Sequence, residues 1–137
     1  MKIGFIGLGN VGRKLAASLL RNNFNLIVRD LDNKITKKFS DLGALVANNP
    51  KELAEKADLI ITCLPSPEVC SKVMESEDGV IKGLSKDKVW LEMSTTDSNE
   101  VKRIGALVKA TGAIPLDCPV SGGCHRAATG NIAILVG

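Results

Sequence analysis

The chain has 137 residues, with 18 Lys and Arg against 15 Asp and Glu, a net charge of +3, and side chains that are 45% apolar but only 3% aromatic. That length is one domain, able to bury about two-thirds of its unfolded surface, and the core must be built from Ile, Leu, Val and Ala. The scattered basic residues give no nucleic-acid surface, no apolar run is long enough to span a membrane, and four cysteines without CxxC spacing beside a single histidine exclude a usual zinc set.

Met1 stands directly before the first expected strand, which leaves no room for a signal or transit peptide and points to the cytoplasm. Residues 2–6 form that strand. Val11, Leu15 and Leu19 then recur every four residues beside Ala16 and Leu20, one face of a helix. Residues 26–28 are the core of a second strand, followed by a polar helix over 33–42 that Gly43 ends as a C′ residue. Residues 45–46 give a short third strand. Asn49, Pro50 and Glu52 spell a helix start: cap, proline at the first position and acid at the third.

Residues 59–64 are the fourth strand, stopped by Pro65-Ser66-Pro67, where Ser66 can cap the next helix. Residues 89–93 are the fifth. Asp97 and Glu100 repeat the start signal, and Val101, Ile104, Gly105 and Val108 make the inner face of that helix. Residues 113–117 are a sixth strand and 132–136 one more. This alternation predicts right-handed crossovers and a Rossmann-type α/β fold, a doubly wound parallel sheet. Ligands in such a sheet bind beyond the carboxyl ends of the strands, where strand order reverses. Cys63 and Cys118 are expected as small buried groups at strand ends.

The first of those rims carries Gly7-Leu8-Gly9-Asn10-Val11-Gly12. Gly7 permits a tight turn, Gly9 lets the backbone approach a pyrophosphate, Gly12 allows close helix–strand packing, and the helix N-terminus offers N–H groups to the anion. Asp30 lies about 20 residues further on, where a carboxylate can accept hydrogen bonds from an adenosine ribose. It would repel a 2′-phosphate, and Leu31 supplies no compensating charge, so NAD is expected over NADP. Asp30 could instead simply end the strand or cap the helix beginning near Asn33.

Leu64-Pro65 after the fourth strand and Ser94-Thr95-Thr96 after the fifth are weaker signals of the same rim. Asp117-Cys118-Pro119-Val120-Ser121-Gly122-Gly123 is more specific. A serine hydroxyl beside two glycine N–H groups can make an anion-binding nest, or the two glycines can simply serve a tight turn.

Taken together, the residue 7–12 loop, Leu64-Pro65, Ser94-Thr95 and Asp117-x-Pro119-Val120-Ser121-Gly122-Gly123 stand in the order seen in the β-hydroxyacid dehydrogenases. The chain resembles the N-terminal NAD-binding domain of that 3-hydroxyisobutyrate dehydrogenase-like family over essentially its whole length. The resemblance implies that Gly7, Leu8, Gly9, Asn10, Val11 and Gly12 hold the pyrophosphate and Asp30 the adenosine ribose. It implies that Leu64, Pro65 and Thr95 lie near the nicotinamide. Ser121, Gly122 and Gly123 would bind the carboxylate and hydroxyl end of a small 3-hydroxy acid, such as 3-hydroxyisobutyrate, or a related semialdehyde. Family members preferring NADP carry Asn-Arg where this chain has Asp30-Leu31.

The chain departs from the family at His125 and Arg126, where members usually have small residues. The family does not use position 125 for chemistry; Arg126 either adds a cation for an acidic substrate or faces solvent. The family also continues into more of the nucleotide domain and then an all-helical domain, whose lysine in a Lys-x-x-x-Asn arrangement moves the proton. No lysine among these residues has that context. Residues 1–137 are therefore expected to be a dinucleotide-binding domain lacking its last strands, without a catalytic residue or a metal, and inactive or weakly active alone. The full-length form is expected to be a homo-oligomer. The alternative is a non-catalytic NAD(P)-binding module that lacks the family lysine.

Overall fold

Short aliphatic runs such as Leu26-Ile27-Val28 and Ile60-Ile61 are buried whichever way their side chains point, as strands covered by helices on both faces require. The computed structural model of the chain describes residues 1–94 and 96–137. Six strands, β1 (Lys2–Ile6), β2 (Asn25–Arg29), β3 (Leu45–Val46), β4 (Leu59–Thr62), β5 (Val89–Glu92) and β6 (Ile114–Asp117), form one sheet in the order β3-β2-β1-β4-β5-β6. Every pairing in it is parallel. This is the expected doubly wound Rossmann-type sheet, with its order reversing between β1 and β4 and its outer strands β3 and β6.

Successive side chains of a strand point to opposite faces, and the core divides accordingly. Ile3 and Phe5 pack with Leu26, Val28, Ala16 and Phe39, beneath α1 (Gly12–Arg21) and α2 (Asn33–Asp41). Ile6, Ile27, Ile60 and Trp90 pack on the other face with Leu53, Ile104 and Val108. Those three belong to α3 (Pro50–Lys56) and α6 (Ser98–Ala110); α4 (Pro67–Glu75) and the short α5 (Val80–Gly83) complete that layer.

The start signals act as expected. Asn49 Oδ1 accepts from the Glu52 N–H at 2.8 Å, Ser66 Oγ from the Val69 N–H at 3.2 Å and Asp97 Oδ1 from the Asn99 N–H at 2.7 Å. Gly43 follows α2 with φ +105°. Of the two thiols expected to be buried, Cys118 is and Cys63 is half-buried; all four cysteines are free.

The end of the chain differs from expectation. The apolar run at 132–136 does not extend the parallel sheet. Its β8 (Ala133–Ile134) pairs antiparallel with β7 (Val120–Ser121) in a separate two-stranded ribbon. A five-residue apolar run reads alike for a buried strand and a ribbon arm, so the pattern could not separate them. Between them lies α7 (Gly123–Thr129), which buries Ala127 and packs on α1. It has no 3.6-residue pattern of its own and is delimited by Gly122 and by left-handed Gly130.

Lys88, just before β5, closes the end of α3. Its Nζ donates to the carbonyls of Ala54 (2.6 Å), Glu55 (2.8 Å) and Ala57 (2.7 Å), using all three ammonium donors where a cation is favoured by the helix dipole. Burial holds its pKa below the ordinary lysine value, against the pull of Asp58 and Glu55. Lys88→Met strands these carbonyls and should lower the unfolding free energy by about 2–3 kcal/mol. Urea denaturation checks this, and an unchanged midpoint would deny the cap any weight.

Arg103 ties α6 to α4. It donates to both oxygens of Glu75 and to Glu100. Hydrogen bonds from Arg103 and Ser71 hold the Glu75 carboxyl down at about 2, from an ordinary 4.5. A depressed native pKa stabilises fully above the unfolded value and is lost as pH falls through the native one. Urea midpoints of wild type and Arg103→Met should therefore differ above about pH 4.5 and converge toward pH 2. A gap that stays constant across that range would contradict the assignment.

Candidate dinucleotide site

At the carboxyl end of β1 the glycine loop folds against backbone. Gly7 has φ +99°, and a Cβ there would stand 2.2 Å from the Cys63 carbonyl oxygen. A Cβ at Gly12 would stand 2.0 Å from the carbonyl oxygen of Gly7 itself. Gly9 is the opposite case: a Cβ there would meet nothing within 4 Å. The loop is thus closed on its inner side and open at Gly9. Helix α1 begins without a side-chain cap and without an acid in its first turn, whereas α2, α3, α4 and α6 each carry a side-chain cap. The start of its dipole meets no acid or capping side chain of its own. Asn10 and Val11 stand at that turn, and Asn10 Oδ1 accepts from Arg13 Nη2 at 3.1 Å.

Asp30 follows β2 and reaches back into this loop. Its Oδ2 accepts from the Leu8 N–H at 2.7 Å and its Oδ1 from the Asp32 N–H at 2.8 Å. The cap of α2 is Asp32, whose Oδ1 accepts from the Lys34 N–H at 2.9 Å, so Asp30 is not spent on that helix. Each of its oxygens keeps a further lone pair for a ligand donor. Leu31 is 88% exposed.

The loops after β4 and β5 are joined. The Leu64 N–H donates to Ser94 Oγ at 2.7 Å, and the Ser94 N–H donates to Glu92 Oε1 at 2.8 Å. Cys70 Sγ donates to the other oxygen, Glu92 Oε2, at 2.8 Å. Burial first, and then the charge of Glu92, pushes the Cys63 thiol up to about 11; the same two causes raise Cys70. Leu64 is half-buried and Pro65 exposed. Thr95 lies outside the described residues. Thr96 beside it has a buried hydroxyl without a hydrogen-bond partner among the described residues.

Ser121, Gly122 and Gly123 form the exposed turn from β7 into α7, with φ +125° at Gly122 and +72° at Gly123. Both glycines are therefore required by the turn, whatever else the turn does. Arg126 lays its stem over this turn, its Cδ 2.7 Å from where a Gly122 Cβ would stand. His125 and Arg126 are both exposed.

The structure thus joins Asp30 to the glycine loop and Leu64 to Ser94, and seats the Ser121 turn on a helix packed against α1. Sequence reasoning missed Asp32 and Glu92. A signal for Glu92 existed, since an acid closing the otherwise apolar strand Val-Trp-Leu-Glu has an unusual place to go. Among the described residues no cluster of His, Cys, Asp or Glu could hold a metal ion, and no helix is long and apolar enough to cross a membrane.

Comparison with known proteins agrees with this architecture. Residues 2–137 match the family model described as the NAD binding domain of 6-phosphogluconate dehydrogenase. The mitochondrial 3-hydroxyisobutyrate dehydrogenase of Mus musculus is 39% identical over 135 residues, covering 98% of this chain and 40% of that protein. The 3-sulfolactaldehyde reductase of Escherichia coli (strain K12) is 36% identical over 98% of this chain and 45% of its own length. Among solved structures, the Mycobacterium tuberculosis 3-hydroxyisobutyrate dehydrogenase with L-serine superimposes with a TM-score of 0.88 at 29% identity, over 99% of this chain and 46% of that one. The chain therefore spans less than half the length of these relatives. With its glycine loop, its sheet order and a match across residues 2–137, the chain belongs to the 6-phosphogluconate dehydrogenase-type NAD-binding domains of the β-hydroxyacid dehydrogenases.

Proposed function

We propose that this chain is the cofactor-binding part of an NAD-dependent dehydrogenase of a small 3-hydroxy acid, such as 3-hydroxyisobutyrate, or the corresponding semialdehyde. The observation that carries the reading is the Asp30 carboxylate fixed inside the glycine loop by the Leu8 N–H at 2.7 Å. It stands where an adenosine ribose would meet it if the pyrophosphate lies over Gly9, between the residue 7–12 backbone and the uncapped start of α1. NAD is favoured over NADP because a 2′-phosphate would face this carboxylate with only Leu31 beside it.

On this reading Leu64, Pro65 and Thr95 flank the nicotinamide, which when bound would exchange a hydride with the hydroxyl-bearing carbon of the substrate. Ser121 and the N–H groups of Gly122 and Gly123 orient the substrate's carboxylate. The proton on the hydroxyl needs a general acid or base, a step worth about a hundredfold to ten-thousandfold in rate. The family's lysine is not among these residues, so the chain by itself should bind cofactor and turn over little. In the full-length form, a homo-oligomer on this proposal, the lysine would come from the helical domain. The cytoplasmic location belongs to the proposal too, whereas the mouse relative is named as mitochondrial.

Calorimetry tests the cofactor assignment directly. The chain should bind NADH with a Kd of about 1 µM or weaker, and NADPH more weakly still; tighter binding of NADPH would overturn the choice of NAD. A turnover screen with small 3-hydroxy acids, run on the product of an extended reading frame, separates the dehydrogenase from the non-catalytic NAD(P)-binding module. A frame that stops without reaching a helix bearing Lys-x-x-x-Asn would favour the module.

A further inference from the structure

Glu92 ends β5 at the ligand-facing rim and is 0% exposed. A carboxyl group so placed must spend its oxygens on internal donors, and the two donors it finds are informative. Oε2 takes the thiol of Cys70, from α4. Oε1 takes the N–H of Ser94, two residues on in the loop that follows its own strand. Ser94 is itself buried, 3% exposed, and its hydroxyl oxygen receives the N–H of Leu64 from the loop after β4. One buried carboxyl therefore sets the position of Ser94, and Ser94 sets that of Leu64. These are the two loops that the cofactor reading places around the nicotinamide. The adenosine half of the site is held separately, by Asp30 on the Leu8 amide.

We infer that Glu92 is a positioning residue for the nicotinamide side of the cofactor pocket, acting through Ser94 on the loops after β4 and β5; this rests on the cofactor reading above. Glu92 touches no ligand in this role. It fixes the two loops against each other before the nicotinamide arrives, so that their ordering is not charged to binding. The adenosine half, on the far side of β1, is independent of it.

This division gives a readout that general destabilisation cannot imitate. ADP-ribose carries the adenosine, pyrophosphate and second ribose of the cofactor but no nicotinamide. Calorimetry of the 137-residue chain with NADH and with ADP-ribose compares the two halves. In Glu92→Leu the Kd for NADH should rise about tenfold while that for ADP-ribose stays within about twofold. Glu92→Gln keeps an oxygen for the Ser94 N–H and should return NADH binding to within about threefold of wild type. Ser94→Ala removes the acceptor of Leu64 without touching Glu92 and should reproduce the selective loss, which keeps the test open if Glu92→Leu does not fold.

Equal weakening of NADH and ADP-ribose in the variants would overturn the positioning role, as would unchanged NADH binding in Ser94→Ala or Glu92→Gln as impaired as Glu92→Leu. Wild-type chain that binds neither ligand would remove the cofactor reading itself, a result distinct from both.

Discussion

Asp30→Asn should erase most of the preference for NADH over NADPH, and Asp30→Arg should invert it. Two unit charges about 4 Å apart repel by roughly 1–4 kcal/mol as the surroundings change from wet to partly buried, a discrimination of about tenfold to a thousandfold in Kd. Asparagine removes the charge but keeps an oxygen that can still accept from the Leu8 N–H, now at 2.7 Å from Asp30 Oδ2. The loop should then hold its shape while the repulsion disappears. Arginine removes the acceptor as well and offers a cation to a 2′-phosphate. NADH affinity should fall by about tenfold or more, and stability should fall by about 1–3 kcal/mol because the N–H of buried Leu8 loses its partner. Calorimetry with both cofactors, beside urea denaturation of each variant, separates the two effects. An Asp30→Asn protein that still discriminates like wild type would show that the carboxylate serves only the loop.

The second large effect concerns paired glycines with opposite surroundings. Gly12→Ala ought to gain about 1 kcal/mol from helix propensity at an ordinary helical position. Here the new Cβ would stand 2.0 Å from the Gly7 carbonyl oxygen, a backbone atom that cannot rotate away. Overpacking of this kind costs about 1–3 kcal/mol or more, so the net result should be a clear loss of stability together with cofactor binding. Gly9→Ala places its Cβ in open space. It should leave stability within about 0.5 kcal/mol of wild type and weaken NADH binding by about tenfold, because the methyl group occupies the approach of the pyrophosphate. A Gly9→Ala chain that binds NADH like wild type would move the pyrophosphate elsewhere.

The parallel sheet was legible because its signals are local and redundant. Most strands carry a short apolar run, and Asn49, Ser66 and Asp97 mark helix starts that the structure confirms with side-chain caps. The glycine loop was legible for the same reason, since spacing alone put three glycines between a strand and a helix. What escaped was long-range. The bond from Asp30 to Leu8 spans 22 residues, and that from Leu64 to Ser94 spans 30. No periodicity encodes either one. Glu92 is visible in the sequence as an acid closing an apolar strand, but its burial is a property of the assembled sheet. Lys88 likewise reads as a surface cation until α3 stops within its reach. The ribbon of β7 and β8 was misplaced because apolarity does not say which neighbour a strand will choose.

The two outer strands of the sheet bear on whether one copy can grow onto another. An exposed strand edge is a template for a further strand. At one end β3 is only two residues long, too short to seed pairing. At the other, the N–H groups of Ile114 and Cys118 point inward, to the carbonyls of Lys88 and Glu92. Alternation then turns position 115 outward, and that residue is Pro115, which has no N–H to give. Along β6 the outer side therefore lacks a donor at Pro115, and the outward carbonyl of Asp117 already accepts from the Gly137 N–H at 2.9 Å. Pro115→Val would restore a donor to the middle of that strand.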